Sequence, residues 1–454
     1  MEKNLTAGSV FKNVIFFSLP YLLSYFLQTL YGMADLFIIG QFDNVAGTTA
    51  VSIGSQVMHM LTVMIVGLAM GATVSIGQAV GAEKRRQAAE DIGNTVTLFM
   101  TLSVVLTAIL LIFVRPIISV MSTPAEAADG TAAYLTVCFI GIPFITAYNI
   151  ISSVFRGLGD SKSPMYFIAV ACAANICLDY LFIGVMQLGP LGAALGTTLS
   201  QTISVAVSLA VILKRKNIEI RKNDFKPSRT AMGKILKIGV PIALQDGLIQ
   251  IAFIIITVIA NQRGLNDAAA VGIVEKVISF LFLIPSSMLS TVSALGAQNI
   301  GANKPDRAIS TLRYAVMLAV GFGIIASVVI QFTAEPIVAL FTDKAAADGA
   351  EVVRFGGQYL KGYIWDCVFA GVHFSFSGYF CACGKSGLSF MHNIISITLV
   401  RIPGVYLTSK LFPSTLFPMG LATAAGSLLS VLICLAAFAV IRRKQSAEPF
   451  AVKI

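Results

Sequence analysis

The sequence predicts an all-α, polytopic membrane protein with twelve transmembrane helices in two six-helix lobes, related by a pseudo-two-fold axis along the membrane normal. Three observations lead to this prediction. Hydrophobic residues make up 56% of the 454 residues and charged residues only 12%, whereas a soluble domain carries about 25% charged residues. Apolar runs of about 20 residues, each long enough to span a bilayer as a helix, recur along the whole chain. The second half of the chain also repeats motifs of the first half.

The apolar runs are separated by charged residues, glycine and proline. Each run is predicted to be a helix, because backbone polar groups in hydrocarbon must be paired within the segment. The predicted spans are 14–39, 50–76, 93–114, 134–156, 164–186, 191–213, 237–260, 270–293, 312–334, 357–381, 388–410 and 419–441. No cleavable signal peptide is predicted, because the first run exceeds the apolar core of roughly 7–15 residues that such peptides have.

Lysine and arginine are distributed unevenly among the predicted loops. With the N-terminus in the cytoplasm, 24 of the 32 cationic residues lie on the cytoplasmic side and six on the opposite side. Cytoplasmic loops carry an excess of these residues, so both termini are predicted to lie inside the bacterial cytoplasmic (inner) membrane. Topology therefore accounts for the net charge of +10. We expect the lipid bilayer and a small organic substrate as partners, no nucleic acid, and a monomer.

Loop motifs of the first half recur in the second half in the same order. GQAVGAEKRRQA from Gly77 matches AQNIGANKPDRA from Ala297, and RPIISVMSTPAEAADG from Arg115 matches EPIVALFTDKAAADG from Glu335, each at an offset of 220 residues. We interpret these matches as an internal duplication. Because each half has an even number of spans, both halves should have the same orientation in the membrane. The predicted divisions are a first lobe over 1–213, a basic cytoplasmic linker over 214–236, a second lobe over 237–441 and a cytoplasmic tail over 442–454.

A few ionisable side chains of the first half lie inside predicted spans, where a charge is costly and therefore indicates function. Asp35 and Asp179 lie in the outer parts of the first and fifth spans, and Thr197 lies at a similar depth in the sixth. Asn175 precedes Asp179 by four residues and so shares its helix face. These oxygen ligands suit a hard cation such as Na⁺, and two close carboxyl groups can instead share a proton. Alternatively, Asp35 is merely interfacial and Asn175 bonds a neighbouring helix.

The second half carries a different set of ionisable residues. Asp366 of the tenth span and Arg401 of the eleventh lie at comparable depth and could form a structural ion pair. His373 follows Asp366 by two turns on the same face, where it either extends a proton path or only bonds between helices. Asp246, in the inner part of the seventh span, has no predicted role beyond lining a cavity. Glu275 lies near the outer end of its span, where snorkelling explains it.

Motifs of soluble chemistry are absent from the sequence. It has no Walker A motif, no GxSxG nucleophile elbow and no HExxH zinc motif. The seven cysteines lack metal-ligand spacing and are expected to be reduced and packed among apolar side chains. We therefore predict a protein that is not an enzyme, with no catalytic residue and no cofactor, whose transport is coupled to H⁺ or Na⁺.

The order and spacing of the motifs resemble the multidrug and toxic compound extrusion (MATE) family of bacteria over essentially the whole chain. The residues that carry the resemblance are PYLLSYFLQTLYGMADLFIIGQF from Pro20, GQAVGA and AQNIGA, FRGLGDSKSPM, NICLDYLFIGV from Asn175, LGAALGTTLSQ from Leu191, and IWDCVF of the tenth span. The resemblance implies a secondary active exporter, which antiports cationic or amphipathic organic compounds against inward proton or sodium flow by alternating access.

The resemblance also assigns roles to individual residues. A cation site in the N-lobe of prokaryotic members uses side chains of the first, fifth and sixth helices, which are matched here by Asp35, Asn175, Asp179 and Thr197. Another branch uses acids of the seventh and tenth helices, of which only the second is matched, by Asp366. The expectation therefore favours the N-lobe, and possible Na⁺ ligands are the four residues matched there.

An alternative function is a flippase for lipid-linked saccharides, from the same wider superfamily. Such proteins usually carry a strongly cationic cavity. Here Arg401 is the one plausible intramembrane cation in the sequence, which makes cation-coupled export of small organic compounds the favoured prediction.

Overall fold

The computed structural model describes residues 5–214, 220–342 and 348–447, with side chains up to residue 443. It is helical throughout, and no strand occurs within these ranges. Residues 215–219 of the predicted linker and residues 448–454 of the predicted tail lie outside the described residues.

Each predicted span lies within one helix or within two or three successive helical segments. The helices of the first half are α1 (Val10–Phe42), α2 (Val45–Gly81), α3 (Arg85–Ile112), α4 (Val114–Val120), α5 (Ala125–Gly157), α6 (Lys162–Asp179) and α7 (Gly189–Lys214). Those of the second half are α8 (Arg229–Asn261), α9 (Leu265–Leu281), α10 (Leu283–Gly301), α11 (Pro305–Ala339), α12 (Gly349–Tyr363), α13 (Trp365–Ala382), α14 (Ser386–Ser396), α15 (Ile402–Leu411) and α16 (Phe417–Ala447). Within the described ranges, 11 helical segments are long and apolar enough to cross a membrane. The prediction of an all-α polytopic membrane protein is therefore confirmed.

The tenth predicted span is divided between two helices. α12 ends at Tyr363 and α13 begins at Trp365, so the run 357–381 is interrupted about a third of the way along. This segment is also the predicted span that is missing from the 11 apolar segments. Asp366 and His373 make it more polar than the other spans, and hydropathy alone gives no sign of the interruption.

Two short π-helical turns interrupt the α-helical pattern at corresponding places in the two halves. One, Tyr180–Val185, continues α6, and the other, Ile397–Arg401, joins α14 to α15. Such turns widen a helix locally and are frequent at functional sites. An ionisable residue lies at each of them: Asp179 directly precedes the first, and Arg401 ends the second.

The described residues form two compact units. The first extends to Ala243 and includes Ala297–Arg307, and the second comprises Leu244–Gly296 and the chain from Ala308 onward. The lobe boundaries given above stay a prediction. In the first unit, Ile38, Val51, Leu135 and Ala193 form a buried core between α1, α2, α5 and α7. In the second, buried residues of α8, α9, α11, α12, α13 and α16 form the corresponding core.

The repeated motifs GQAVGA and AQNIGA meet in the first unit. A Cβ atom on Gly81 would collide with the carbonyl oxygen of Gln298, and one on Gly301 would collide with the carbonyl oxygen of Gln78. The backbones of α2 and α10 thus touch twice, with the roles of the two motifs exchanged. The side chain of Gln298 also donates a 2.9 Å hydrogen bond to the carbonyl oxygen of Gly157. The glycine in each copy is therefore required by close packing.

The described part of the linker is attached to α3. A single 3₁₀ turn, Lys222–Phe225, presents Asp224 to the guanidinium of Arg86, with one N–H···O distance of 3.0 Å. Asn94 of α3 donates a 3.1 Å hydrogen bond to the backbone oxygen of Asp224 and accepts one of 2.7 Å from the backbone nitrogen of Ser228. The chain leading into α8 is therefore held to the first unit by both charge and backbone hydrogen bonds.

Candidate functional site

Four polar side chains that the sequence singles out lie together inside the first unit. α1 supplies Asp35, the end of α6 supplies Asn175 and Asp179, and α7 supplies Thr197. Their exposed fractions are only 3%, 0%, 0% and 8% in that order. The hydroxyl of Thr197 donates a 3.0 Å hydrogen bond to Oδ2 of Asp35. Asp35 is therefore buried in a polar cluster, and the interfacial alternative does not describe it.

The carboxyl groups of Asp35 and Asp179 are direct neighbours and interact with each other, and Asn175 lies within reach of Asp35. Carboxylates only accept hydrogen bonds, so a bond between the two carboxyl groups requires a proton on one of them. With both ionised, Oδ1 of Asp35 and both oxygens of Asp179 receive no hydrogen bond from the described residues. The amide of Asn175 is likewise unpaired within the described chain.

Unpaired acceptors at this depth are costly. A buried polar atom without a partner costs about 1–3 kcal/mol, and more when it carries charge. Two carboxylates with no cation beside them would also repel each other strongly in a low-dielectric interior. The cluster therefore requires added positive charge. A shared proton meets this requirement, and so does a monovalent metal ion bound by carboxylate, amide and hydroxyl oxygens.

The backbone of α7 approaches the cluster at Gly196. A Cβ atom at this position would collide with Oδ1 of Asp179. The Gly196–Thr197 pair thus has two roles: the glycine leaves room for one carboxyl group, and the threonine hydroxyl holds the other. Because α-helical pairing gives way to the π-helical turn directly after Asp179, this residue lies where the helix is already widened.

Two further residues near the cluster are not identified from the sequence. Tyr31 precedes Asp35 by one helical turn and interacts with its carboxyl group. Gln201 follows Thr197 by one turn, is buried, and its Oε1 has no partner within the described residues. Both lie four residues from a candidate, and this i, i+4 spacing is the signal that could have identified them.

In the second unit, Asp366 and Arg401 form the ion pair that the sequence leaves open. Nη2 of Arg401 lies 2.9 Å from Oδ2 of Asp366 and donates a second hydrogen bond, of 2.8 Å, to the hydroxyl of Tyr363. Both partners are buried, with side-chain exposures of 10% for the arginine and 0% for the aspartate.

The expectation that Glu275 snorkels to water is corrected by its contacts with neighbouring helices. The hydroxyl of Thr257 donates to Glu275 with distances of 3.2 and 3.4 Å to its two oxygens, and the carboxyl group lies close enough to Arg401 to interact with it electrostatically. The sequence does not reveal these contacts, because Thr257 and Glu275 lie on different helices, α8 and α9.

His373 and Asp246 lie in polar surroundings of their own. His373 is buried beside His392, with ring centroids 5.5 Å apart, and its Nδ1 has no partner within the described residues. His392 in turn lies 2.8 Å from the hydroxyl of Ser377 through Nε2. Asp246 is half-buried and follows Gln245, whose Oε1 accepts a hydrogen bond from a serine of α14. A proton path through His373 and a cavity-lining role for Asp246 both stay predictions.

Comparison with known proteins adds independent information. The family described as MatE matches residues 20–181 and 241–407. The chain is 27% identical over 409 residues to "Probable multidrug resistance protein YoeA" of Bacillus subtilis (strain 168), covering 88% of this chain and 87% of that protein. It is 29% identical over 406 residues to "Probable multidrug resistance protein YpnP" of the same organism, with coverages of 89% and 90%.

Among solved structures, the chain has the fold of an outward-facing multidrug resistance MATE family transporter of the MOP superfamily. The TM-score is 0.88 at 21% identity, over 98% of this chain and 97% of that one. At this level of identity the structural match shows the fold alone.

Proposed function

Because this chain belongs to the MATE family, described as MatE, we propose that it is a secondary active exporter of small cationic or amphipathic organic compounds, driven by inward flow of H⁺ or Na⁺. The observation that carries the proposal is the buried cluster of the first unit, in which two carboxyl groups lie together and form no ion pair with a basic side chain of the described residues. The two curated relatives, both named as multidrug resistance proteins, support the substrate class.

The cluster suits ion coupling because its ligands come from three helices. Asp35 belongs to α1, Asp179 to α6 and Thr197 to α7, so a bound proton or cation draws these helices together. Loss of the ion leaves two adjacent negative charges and favours their separation. The occupied and empty cluster therefore stabilise different arrangements of the first unit, which is the requirement for an ion to shift a conformational equilibrium.

The remaining parts of the proposal follow from the sequence. We place the protein in the bacterial cytoplasmic membrane as a monomer, with both termini in the cytoplasm and no nucleic-acid partner. It has no cofactor, and its energy comes from the ion gradient. A lipid-linked saccharide flippase is less well supported, because an anionic headgroup needs free cations, and Arg401 is already paired with Asp366.

Everted membrane vesicles test the proposal. A fluorescent organic cation is added outside, and a proton or sodium gradient directed out of the lumen is imposed. We expect accumulation of the cation with one of the two gradients, and its loss in Asp35→Asn and in Asp179→Asn. Asp129→Asn is the matched control, because Asp129 forms an exposed ion pair with Arg115. Normal transport by Asp35→Asn and Asp179→Asn at normal expression would refute coupling at this cluster.

A further inference from the structure

The ion pair of the second unit lies in surroundings suited to binding a cation. Arg401 ends a π-helical turn and points its guanidinium at Asp366 and at the hydroxyl of Tyr363. The ring of Phe253 lies 5.6 Å from the guanidinium carbon, and the ring of Tyr363 lies 5.8 Å from it. Carboxylate oxygens combined with aromatic rings are the groups by which proteins recognise organic cations. We call this pocket, formed by Phe253, Glu275, Tyr363 and Asp366, the aromatic–acidic pocket.

The carboxyl groups of the pocket favour the presence of a single positive charge. Asp366 is paired directly with Arg401, and Glu275 interacts with the same guanidinium from α9. Two carboxyl groups thus interact with one guanidinium. Asp366 is fully buried, and Glu275 is half-buried. If the cation is removed, at least one buried carboxylate is left uncompensated, which is far more costly than the pair itself.

The hydrogen bonds of Arg401 differ from those of a bidentate arginine–carboxylate pair. Both of its bonds come from the single nitrogen Nη2, and its Nε has no partner within the described residues. A bidentate arginine–carboxylate pair, by contrast, uses two nitrogens in parallel and gains specificity from that geometry. The pocket therefore holds the head group mainly through its charge and through its position near the aromatic rings.

We propose that the aromatic–acidic pocket is a binding site for a small organic monocation of the guanidinium class, and that the side chain of Arg401 is its covalently attached occupant. When this side chain is truncated, the pocket binds free guanidinium. The site belongs to the second unit, and its occupation by Arg401 is independent of the ion that we propose for the first unit. The proposal concerns binding and stability, so its failure would leave the proposed transport function untouched.

The test uses the purified full-length protein in detergent. Thermal unfolding of Arg401→Ala is followed in 0–20 mM guanidinium chloride, with sodium chloride or potassium chloride replacing it at constant ionic strength. We expect Arg401→Ala to unfold at a lower temperature than wild type, and guanidinium to restore several degrees in a saturable manner. Wild type should not respond, because its pocket is already occupied. Arg354→Ala is the matched control, since Arg354 is 59% exposed and pairs with Glu351 at the surface.

A binding measurement identifies the pocket. Radiolabelled guanidinium should bind Arg401→Ala saturably, and Arg401→Ala combined with Asp366→Asn should bind it about tenfold more weakly or not at all, because a charged hydrogen bond is lost. Absence of saturable binding to a folded Arg401→Ala would overturn the proposal. So would equal binding to the double variant, or stabilisation by sodium with no effect of guanidinium.

Two milder variants keep the proposal testable if Arg401→Ala does not fold. Arg401→Lys keeps the charge with a smaller head group, and Arg401→Gln keeps hydrogen-bonding capacity without charge. If the pocket needs a cation, Arg401→Lys should unfold at a clearly higher temperature than Arg401→Gln. Equal or lower stability of Arg401→Lys would show that the contact is only structural.

Discussion

The hydroxyl of Thr197 donates a hydrogen bond to the carboxyl group of Asp35 across 3.0 Å, and so joins α7 to α1 inside the first unit. This bond occupies one oxygen of Asp35. The other oxygen, and both oxygens of Asp179, receive no hydrogen bond from the described residues. The threonine therefore orients the first carboxyl group while the rest of the acidic cluster stays available for a proton or a cation.

The contribution of this hydroxyl can be measured directly. Thr197→Val keeps the volume of the side chain but removes the donor, and Thr197→Ser keeps the donor. A hydrogen bond to a charged group is worth about 1.5–3 kcal/mol. If Na⁺ drives export, the valine variant should need roughly ten to a hundred times more Na⁺ for half-maximal efflux, because a ligand oxygen is lost. If H⁺ drives export, the valine variant should need less H⁺, because a hydroxyl that donates to a carboxylate favours the ionised form. The serine variant should resemble wild type in both cases. Thr202→Val is the control, because the hydroxyl of Thr202 donates to the backbone oxygen of Thr198 in its own helix.

Gly196 offers a second, purely steric test of the cluster. In Gly196→Ala the new methyl group would collide with Oδ1 of Asp179 and displace the carboxyl group from Asp35. We expect ion-driven efflux to fall toward the level of Asp179→Asn, with the amount of folded protein maintained, since the end of a side chain can move. Gly233→Ala in α8 is the control, because the added methyl group would meet no atom within 4 Å among the described residues outside the adjacent turns of its own helix. Efflux at the wild-type rate by Gly196→Ala would contradict the described geometry.

Hydropathy and loop motifs predict much of the fold of this protein. The helical class and the positions of the spans follow from chain-wide properties, because a bilayer forces apolar runs into helices. The similar depth of Asp35 and Thr197 follows from the distance of each residue from the ends of its span, but their contact does not. Contacts that depend on how two helices are rotated against each other are not predictable in this way. Thr257 with Glu275 is the clearest example, because neither spacing nor hydropathy relates the two residues.

The break between α12 and α13 and the two π-helical turns also escape prediction. Each is a local change of backbone hydrogen bonding that depends on tertiary packing and leaves no pattern in the sequence. Around Arg401, for instance, the turn aims the guanidinium at Asp366. The sequence predicts that the two residues lie at comparable depth, but it does not distinguish a pair from two separate side chains.

The backbone contacts of the repeated motifs predict a loss of stability on substitution. Gly81→Ala and Gly301→Ala each place a methyl group against a backbone carbonyl oxygen, which cannot move aside as a side chain can. Overpacking of this kind costs about 1–3 kcal/mol, so both variants should unfold at lower temperature in detergent. Gly387→Ala is the control, as its position has no neighbour within 4 Å. Unchanged melting of both motif variants would refute this packing.

The contacts of Asp224 predict that attachment of the linker to α3 depends on pH. The backbone N–H of Arg221 donates to its carboxylate, and the guanidinium of Arg86 pairs with it, so the pKa of Asp224 lies below its usual value. The pKa of Asp224 is lower when the linker is attached to α3 than when the linker is released. The attachment is therefore strongest above the pKa of about 3.9 that a free aspartate has, and it weakens as the pH falls through the lower pKa. The protection of the segment 221–228 against hydrogen exchange, taken relative to the intrinsic exchange rate at each pH, should therefore be lost only in acid.

Removal of the Asp224 charge should release the same segment without acid. Asp224→Asn should show fast hydrogen exchange over 221–228 at neutral pH, whereas Asp129→Asn, at an exposed ion pair, should not. Equal protection in Asp224→Asn and wild type would show that the backbone hydrogen bonds of Asn94 hold the segment without help from the ion pair.

The exchanged contacts of Gly81 with Gln298 and of Gly301 with Gln78 have an evolutionary consequence. They have the form of an isologous interface, in which residue i of one copy meets residue j of the other, and j meets i. In a homodimeric ancestor with six helices per subunit, one glycine and one glutamine would make the contact twice, and every mutation would appear on both sides. Fusion of the two copies into one chain would remove that constraint. The two copies have kept their shared interface, while Asp35 has no acidic counterpart in the second copy, where isoleucine occupies the positions at offsets of both 220 and 221.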